Sequence, residues 1–335
     1  MAAWIILATT SILKIPERWV NFTLGLLPGA LVPTALKVAG GQAERTALAS
    51  GDIARVSLGA AFWVSLFAAA VIMLDAWHTG GLRRKLTLFS ATLGIAVTVY
   101  LMVSGEMSHL SILREFINRR ERFTGELMAH LALSSSAVGM AVLLGLPLGI
   151  LAHRKARLRG GAFFVLNTLQ TVPSLALFGI LIPLLAALTS RFPVLGEAGI
   201  QGIGTAPALI ALTVYSLLPV ARNTFAGFSS VDPAAVDAGR GMGMTGSQLL
   251  VRVEFPIASP IILNGIRVAL VQAIGLTAVA ALIGAGGFGV FIFQGLGQAA
   301  TDLVLLGAIP TNLIAAAADA LLNGLIGVAN PRGLR

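Results

Sequence analysis

Two residue types that often carry chemistry are scarce in this chain. It contains no cysteine, which excludes disulfide bonds, iron–sulfur clusters and thiolate metal sites. Its four histidines are His78, His109, His130 and His153, and their spacing matches no metal-ligand motif. We interpret them as polar residues near the edges of apolar segments. The sequence therefore predicts no metal site, and it shows no residue constellation for hydrolytic or redox catalysis.

Charged residues are also rare. They make up 11% of the 335 residues, whereas 56% are hydrophobic and the mean hydropathy is +0.89. This composition is far too apolar for a soluble protein of this length, and a helix needs about 20 apolar residues to cross a bilayer. We predict an all-α multi-span membrane protein with spans at about 20–38, 53–74, 86–104, 128–152, 162–188, 204–221, 259–284 and 302–328.

Two further features concern these spans. The run from Ala2 to Leu13 has 12 residues, which is too short to cross a bilayer, and it lacks the basic start of a signal peptide. We interpret it as the last half of a helix. Small residues are abundant within the spans, and they predict close contacts between helices. Examples are Gly139, Gly145, Gly149 and Gly275.

Positive charge is distributed unevenly among the predicted loops. Lysine and arginine cluster in every second loop, which the positive-inside rule assigns to the cytoplasm. The clusters are Lys14 with Arg18, Arg83 to Lys85, Arg154 to Arg159, Arg222 with Arg240 and Arg252, and Arg332 with Arg335. We expect the segment 232–256 and the C-terminus to be cytoplasmic. The net charge of +9 is then explained by topology and needs no nucleic-acid partner.

Nucleotide-binding motifs do not account for the glycines of this chain. Residues 284–289 satisfy G-x-G-x-x-G, but they follow a long apolar helix and not the strand of a βαβ unit. We interpret these glycines as the end of a helix and a tight outer turn. The pattern G-x-x-x-x-G-K-[ST] does not occur. Any ATP and Mg²⁺ must therefore bind to a partner, and this chain is predicted to have no ATPase site and no cofactor of its own.

A polar, glycine-punctuated segment, 232–256, separates two apolar runs. Asp232 before Pro233 is a helix start, because the carboxylate accepts from free N–H groups and proline has none to leave unpaired. This helix should end near Arg240, where Gly241 and Gly243 break it.

A second helix is predicted within the same segment. Thr245 and Gln248 fit a capping box, so this helix should begin there and end at Pro256. The result is a helix, a turn and a helix, which suits insertion into a groove on another protein. Its predicted apolar surface consists of Val236, Met242, Met244, Leu249 and Leu250.

The spacing within 232–256 resembles the EAA loop of ABC-transporter permeases. The matching positions are Asp237, Ala238, Gly239, Gly243, Val253, Phe255 and Pro256. Departures from the family pattern are mild: aspartate replaces glutamate, and Gly239 replaces alanine. Gly239 should soften the first helix by up to about 1 kcal/mol relative to alanine. The resemblance implies that these residues couple the chain to an ATPase subunit.

Two further runs, 169–179 and 281–289, resemble the signature runs of permeases for glycine betaine, choline and carnitine. Residues 57–63 resemble the extra N-terminal region of one branch, the YehY-type permeases. The resemblance implies a type I ABC importer with a MetI-like core in residues 126–335 and additional membrane helices in residues 1–125. Members of that branch have a complete span in place of Ala2 to Leu13, so we expect the present start to lie inside an ancestral helix.

The resemblance also implies a bacterial plasma (inner) membrane protein and an assembly. Two permeases, this chain with itself or with a shorter paralogue, would form the pore in the bilayer; two ATPases would bind the EAA loops, and a solute-binding protein would deliver the solute. ATP-driven closure would rock the helices between two states. Candidate residues along the translocation path are Gln170, Pro173, Ser174, Gly284, Gly286, Gly287 and Gly289.

Alternatives remain at this stage. An autonomous secondary transporter would need inverted repeats and ionisable residues within its spans. The candidates here are Arg267, Asp319 and, at an edge, Asp302. We predict that Arg267 is paired or lies near the cytoplasmic end of its span, and that Asp319 makes an interhelical hydrogen bond. A membrane scaffold or sensor is a third possibility. The two tyrosines and four tryptophans form no aromatic cage, so we expect recognition on the binding protein. Betaine, choline, carnitine, ectoine and amino acids, as in methionine-type permeases, therefore all remain candidates.

Overall fold

The computed structural model describes residues 17–50, 56–197 and 199–329, which form helices joined by short connections, with no strand among them. The chain divides after Asn118 into two compact units, and each is described by itself. The predicted partial span from Ala2 to Leu13 lies outside the described residues. The predicted boundary after residue 125 falls inside the first helix of the second unit.

The first unit contains three long helices and a short one. They are α1 Glu17–Ser50, α2 Ala60–Thr79, α3 Gly81–Val103 and α4 Ser111–Asn118. Helices α1 and α3 cross closely at Gly29, where a Cβ atom would lie 1.9 Å from the carbonyl oxygen of Ser90. The Ser90 hydroxyl donates a hydrogen bond of 2.8 Å to the carbonyl of Gly25. A glycine and a small hydroxyl side chain therefore set this crossing.

The second unit contains the helices that frame the candidate site. They are α5 Arg120–Arg154, α6 Ala156–Thr171, α7 Ser174–Arg191, α8 Pro193–Glu197, α9 Thr205–Ser229, α10 Pro233–Gly241, α11 Gly246–Leu249, α12 Phe255–Ala280, α13 Gly289–Gly297 and α14 Thr301–Ala329. A π-helical turn, Leu250–Glu254, joins α11 to α12, and a 3-10 turn, Ala281–Ile283, follows α12. Helix α9 lies at the centre of the unit, packed between α5 and α12.

Glycines allow α5 to pack tightly on α9. A Cβ atom at Gly145 would lie 2.9 Å from the Val220 side chain, and one at Gly149 would lie 2.5 Å from Thr224. The predicted close contacts are confirmed at these two glycines. At Gly139 and Gly275 a Cβ atom would meet open space within this subunit, so that prediction is wrong for contacts inside the chain.

Among the described residues, seven helices are long and apolar enough to cross a membrane. The span predicted at 53–74 corresponds to α2, whose apolar stretch Ala60–Ala76 is shorter than the other seven. The continuous span predicted at 162–188 is wrong, because the backbone leaves the helical region between α6 and α7. Proline disfavours the helical conformation in the residue before it, and Val172, which precedes Pro173, is extended. The segment 105–127, which lies between two of the predicted spans, contains α4 and the start of α5.

Candidate functional site

The segment 232–256, which we call the coupling loop, begins with a capped helix. The Asp232 carboxylate accepts a hydrogen bond of 2.8 Å from the N–H of Ala234. Pro233 is the first residue of α10, a position where the backbone N–H would have no partner within the helix, so proline costs no hydrogen bond there. The predicted start of the first helix is confirmed.

Helix α10 ends in a turn that requires glycine. The N–H of Met244 donates to the carbonyl of Gly239 at 3.1 Å, and the N–H of Gly243 donates to the carbonyl of Arg240 at 2.9 Å. These two bonds define a Schellman motif, in which the residue after the cap is left-handed. Gly243 has φ of +77°, which glycine adopts without strain. The predicted break is confirmed at Gly243, whereas Gly241 remains the last residue of the helix.

The second half of the coupling loop confirms one prediction and corrects another. The Thr245 hydroxyl accepts from the N–H of Gln248 at 3.4 Å, and the Gln248 side chain accepts from the N–H of Thr245 at 2.9 Å. The capping box is therefore present. The helix does not end at Pro256, because the π-helical turn Leu250–Glu254 continues directly into α12. Pro256 occupies the first turn of α12, where the missing N–H is tolerated.

The two short helices pack on each other at Gly239. This glycine is buried, and a Cβ atom there would lie 2.7 Å from Cδ1 of Leu249 and 3.4 Å from the sulfur of Met244. The half-buried Val253 side chain comes within 3.7 Å of the same point. A side chain at residue 239 would therefore require Leu249 to shift. The cost predicted above from helix propensity does not include this packing, which decides how a substitution at Gly239 affects stability.

The apolar surface predicted for the coupling loop is only partly exposed. Leu249 is buried, and Val236 and Leu250 pack against a hydrophobic cluster at the ends of α9 and α12. Met244 is half-buried, while Met242 remains 71% exposed. The prediction is therefore wrong for Val236, Leu249 and Leu250. The exposed face of the loop instead includes Asp237, Ala238, Met242, Val251 and Phe255.

An ion pair that the sequence analysis missed joins the coupling loop to the bundle. The carboxylate of Glu254, 6% exposed, pairs with the guanidinium of Arg154 at the end of α5. Sequence reasoning assigned Arg154 only to a basic cluster. Glu254 is a single carboxylate in an apolar stretch just before Pro256. Because buried charges are normally paired, this position indicates a basic partner. The pair fixes the π-helical turn against α5.

The turn 284–289 needs glycine for two reasons. Gly284, Gly286 and Gly287 have φ values of +79°, +81° and +85°, in the left-handed region that glycine favours. Gly289 is needed for space, because a Cβ atom there would lie 1.7 Å from the carbonyl oxygen of Ala278. The predicted tight turn at the end of the preceding helix is confirmed.

Two polar side chains of α5 hold this turn in place. A carboxylate oxygen of Glu126 accepts a hydrogen bond of 2.7 Å from the N–H of Gly287. Nδ1 of His130 accepts from the N–H of Phe288 at 3.3 Å, so Nε2 carries the proton and donates to the carbonyl of Ile274 at 3.1 Å. His130 is fully buried, and its interpretation as a polar edge residue is wrong. Both residues were missed because their partners lie far away in the sequence.

The other predicted path residues, Gln170, Pro173 and Ser174, lie at the break between α6 and α7. The Gln170 amide donates a hydrogen bond of 2.8 Å to the carbonyl of Tyr215, whose hydroxyl in turn donates to the carbonyl of Val172. These bonds attach the break to α9. Pro173 is exposed, and the half-buried Ser174 begins α7.

One hydrophobic cluster joins the two signature runs 169–179 and 281–289. Leu177 and Phe178 belong to it together with Ile283 and Ala285, and Val172 packs against it. The structure therefore brings the break and the glycine turn into the same packed region. The hydrogen bonds of Gln170 are made to α9 and not to the glycine turn.

A polar network, composed of Arg267, Asp319 and Asn323, links α12 and α14. Nε of Arg267 lies 3.2 Å from a carboxylate oxygen of Asp319, and its guanidinium also donates to the side-chain oxygen of Asn323. The Asn323 amide donates to Asp319 at 2.9 Å. The predicted pairing of Arg267 and the predicted interhelical bond of Asp319 are confirmed, and Asn323 was missed. Asp302 is buried in the first turn of α14.

The two parts of the chain match two family models. Residues 141–332 match the binding-protein-dependent transport system inner membrane component, and residues 1–113 match the N-terminal domain of the ABC transporter permease YehY. The first match covers more than half of the chain.

Curated relatives and solved structures agree with these matches. The osmoprotectant import permease protein OsmW of Salmonella typhimurium is 42% identical over 62% of this chain and 91% of that protein. The carnitine transport permease protein OpuCB of Listeria monocytogenes is 41% identical over 62% of this chain and 87% of that protein. A chain of the inward-facing MetNI methionine ABC transporter shares the fold, with a TM-score of 0.55 at 19% identity, over 63% of this chain and 98% of that chain. This protein therefore belongs to the family of binding-protein-dependent transport system inner membrane components, the permeases of ABC importers.

Proposed function

We propose that this permease imports a small quaternary-ammonium osmoprotectant, of the glycine betaine, carnitine or choline type. The energy would come from ATP, bound with Mg²⁺ and hydrolysed on a separate ATPase subunit. The names of curated relatives support the solute class. The observation that carries the coupling mechanism is the coupling loop, a capped helix, a glycine turn and a second helix that projects one face outward.

The exposed face of the coupling loop supplies the surface for the ATPase. Met242 and Val251 are exposed apolar side chains of the coupling loop, and the carboxylate of Asp237 is exposed as well. The Asp237 carboxylate lies 3.4 Å from the guanidinium of Arg240 on the same helix. A short helix with apolar side chains and a charged rim fits a groove on a partner. The buried Gly239 and the left-handed Gly243 set the packing and the turn that position this face.

The helix after the coupling loop can carry a movement into the bundle. Helical backbone runs without interruption from Gly246 to Ile283, so a displacement of the loop moves α12 with it. The Glu254–Arg154 pair makes α5 follow the same movement. Such rigid-body motion of packed helices is a standard form of two-state switching. We infer that ATP-driven closure of the ATPases would switch the permease in this way.

The charge distribution supports a cytoplasmic position for the coupling loop. Because Arg154 pairs with Glu254, the basic residues 154–159 lie on the same side of the bundle as the loop. The positive-inside rule assigns that side to the cytoplasm. Asp319, in the second half of α14, pairs with Arg267, in the first half of α12, which supports a cytoplasmic C-terminus in a bacterial plasma membrane. A solute-binding protein would then dock on the opposite side, and a second permease, of this chain or a shorter relative, would complete the pore.

Two glycines of the coupling loop allow a matched test. A Cβ atom at Gly241 or Gly243 would meet open space, but only Gly243 has a positive φ. Gly243→Ala should strain the turn by about 1–2 kcal/mol, whereas Gly241→Ala should be tolerated. The measurement is ATP-dependent uptake of radiolabelled glycine betaine, carnitine and choline into proteoliposomes that contain the permease with the ATPase and binding protein of its genomic neighbourhood.

The expected result is uptake by wild type and by Gly241→Ala, with fewer solute molecules moved per ATP hydrolysed by Gly243→Ala. Equal coupling in the two variants would contradict the role of the turn. If wild type takes up none of the three solutes, the proposed substrate class is wrong even if the coupling loop is correctly assigned.

A further inference from the structure

The polar network Arg267, Asp319 and Asn323 is part of a longer polar stripe. On α14, the stripe consists of Asn312, Asp319 and Asn323, spaced i, i+7 and i+11, with the small Ala316 between them at i+4. Residues at this spacing share one face of a helix. Asn312, Ala316 and Asn323 are exposed in the isolated subunit. The side chains of Arg267 and Asp319 are 30% and 42% exposed.

This stripe lies within the part of the bundle that spans the membrane. At 1.5 Å per residue, Arg267 is about 18 Å along α12 from Phe255, and Asp319 is about 15 Å along α14 from Ala329. The hydrocarbon core of a bilayer is about 30 Å thick. The ion pair therefore lies well inside the ends of both helices, in the half nearer the coupling loop.

A second exposed face of α14 has the opposite character. Leu313 and Leu321 are each 64% exposed, and Leu325 and Val328 are exposed as well. Leu313 directly follows Asn312, so the two side chains lie at nearly the same depth but about 100° apart around the helix. One helix thus presents leucines in one direction and a polar stripe in another.

Lipid is a suitable environment for the leucine face but not for the polar stripe. Charged side chains within membrane segments almost always face the interior of an assembly or a water-filled cavity, because exposure to hydrocarbon is costly. Amide side chains share this constraint, since lipid offers them no hydrogen-bond partner. The exposed part of the polar stripe therefore needs water or protein in front of it.

We propose that the polar stripe lines the water-filled translocation path of the assembled permease and that the Arg267–Asp319 pair contacts the passing solute. The second part rests on the proposed substrate class. A zwitterionic osmolyte carries a carboxylate and an ammonium group; the guanidinium attracts the first and the Asp319 carboxylate attracts the second. The charges of Arg267 and Asp319 cancel, so the pair neither holds a zwitterion tightly nor repels it. Passage of a solute through the path requires both conditions.

The chain contains no cysteine, so thiol labelling tests directly whether the polar stripe lines a water-filled path. The unsubstituted chain is the unlabelled control. Cysteine is introduced singly at Asn312, Asn323, Leu313 and Leu321, and the assembled transporter in liposomes is treated with a charged, membrane-impermeant methanethiosulfonate. Thiols react as thiolates, which form in water and not in hydrocarbon. We expect Asn312→Cys and Asn323→Cys to react at least about tenfold faster than Leu313→Cys and Leu321→Cys. Equal rates in adjacent variants, or faster reaction at the leucines, would overturn the path assignment.

Charge variants test the contact with the solute. Arg267→Gln leaves a carboxylate that should favour a cation, and Asp319→Asn leaves a guanidinium that should disfavour it. The ratio of choline to glycine betaine uptake should rise at least about threefold in the first variant and fall in the second. The double variant, which restores neutrality, should return the ratio towards the wild-type value and controls for loss of folding.

An unchanged ratio in both single variants, together with labelling of the stripe, would retain the path and refute the solute contact. Labelling does not depend on which solute is carried. Absence of uptake of both solutes by wild type would therefore refute the substrate class and the solute contact, while the labelling would still decide the path assignment.

Discussion

At the scale of single residues, glycines serve the candidate site in two physically different ways. Gly243 and Gly287 are needed for their backbone conformation, with φ values of +77° and +85°. Gly239 and Gly289 are needed for space, because Leu249 and the Ala278 carbonyl occupy the positions that a Cβ atom would take. The two groups should respond differently to substitution. Strain from φ is local, whereas the collision at Gly289 is with backbone and is relieved only by moving α13 away from α12. At Gly239 the colliding atom is the end of a side chain, which can shift.

Gly289 provides a prediction of the second kind. A Cβ atom there would lie 1.7 Å from a backbone oxygen, while one at Gly297, at the other end of α13, would meet open space. Gly289→Ala should therefore destabilise the permease by about 1–3 kcal/mol through overpacking, and Gly297→Ala should not. Thermal unfolding of the two variants in detergent measures the difference. A midpoint for Gly289→Ala equal to that of Gly297→Ala would contradict the close approach of α13 to α12.

At the scale of helices, the Glu254–Arg154 pair adds an ionic contact between the coupling loop and α5 to the apolar packing of Val236 and Leu250. Its two ends differ in exposure: the Glu254 side chain is 6% exposed and that of Arg154 is 42% exposed. Removing the arginine leaves a buried carboxylate without its partner, whereas removing the carboxylate leaves a guanidinium that water can reach. The first loss is the more costly, because a buried charge needs compensation.

We therefore expect Arg154→Leu to lower the free energy of unfolding by up to about 3 kcal/mol and Glu254→Leu to lower it by less. The double variant should be more stable than Arg154→Leu alone. Equilibrium unfolding of the two single variants and the double variant forms the required cycle. Equal losses for the two single variants, adding in the double variant, would show that the ion pair does not hold the loop.

The elements also show how far sequence reasoning reaches. The cap at Asp232, the Schellman turn at Gly243 and the capping box at Thr245 are encoded within a few residues, and all three were predictable. The continuation through Pro256 was not, because a π-helical turn placed this proline in the first turn of α12.

Contacts between distant residues account for the remaining differences. The burial of Leu249 depends on packing against Gly239, and the role of His130 depends on Phe288, which is 158 positions away. Caps and turns are determined by residues that are close in the sequence, whereas the burial of a side chain depends on which helices pack against each other. That Arg267 and Asp319 each have a partner could be predicted, because lone charges in a membrane span require partners, but that they pair with each other could not.

At the scale of the whole molecule, the chain combines two units that match separate families. The relatives named above align over 206 residues of this chain, and the core family model covers residues 141–332. The shared part thus contains the coupling loop, the glycine turn 284–289 and the polar stripe. The helices of the first unit match the YehY-type N-terminal domain. The transport function is therefore attributed to residues of the second unit.

The central claim is that the exposed face of the coupling loop binds an ATPase. Met242 on this face and Val194 in α8, at the opposite end of the bundle, are each 71% exposed, so they form a matched pair for cysteine substitution in a chain without cysteine. The most direct measurement is mass-spectrometric detection of the ATPase linked to each variant by a short thiol-to-amine reagent. The account predicts an ATPase adduct with Met242→Cys and none with Val194→Cys. No adduct at Met242, or equal adducts at both positions, would contradict it.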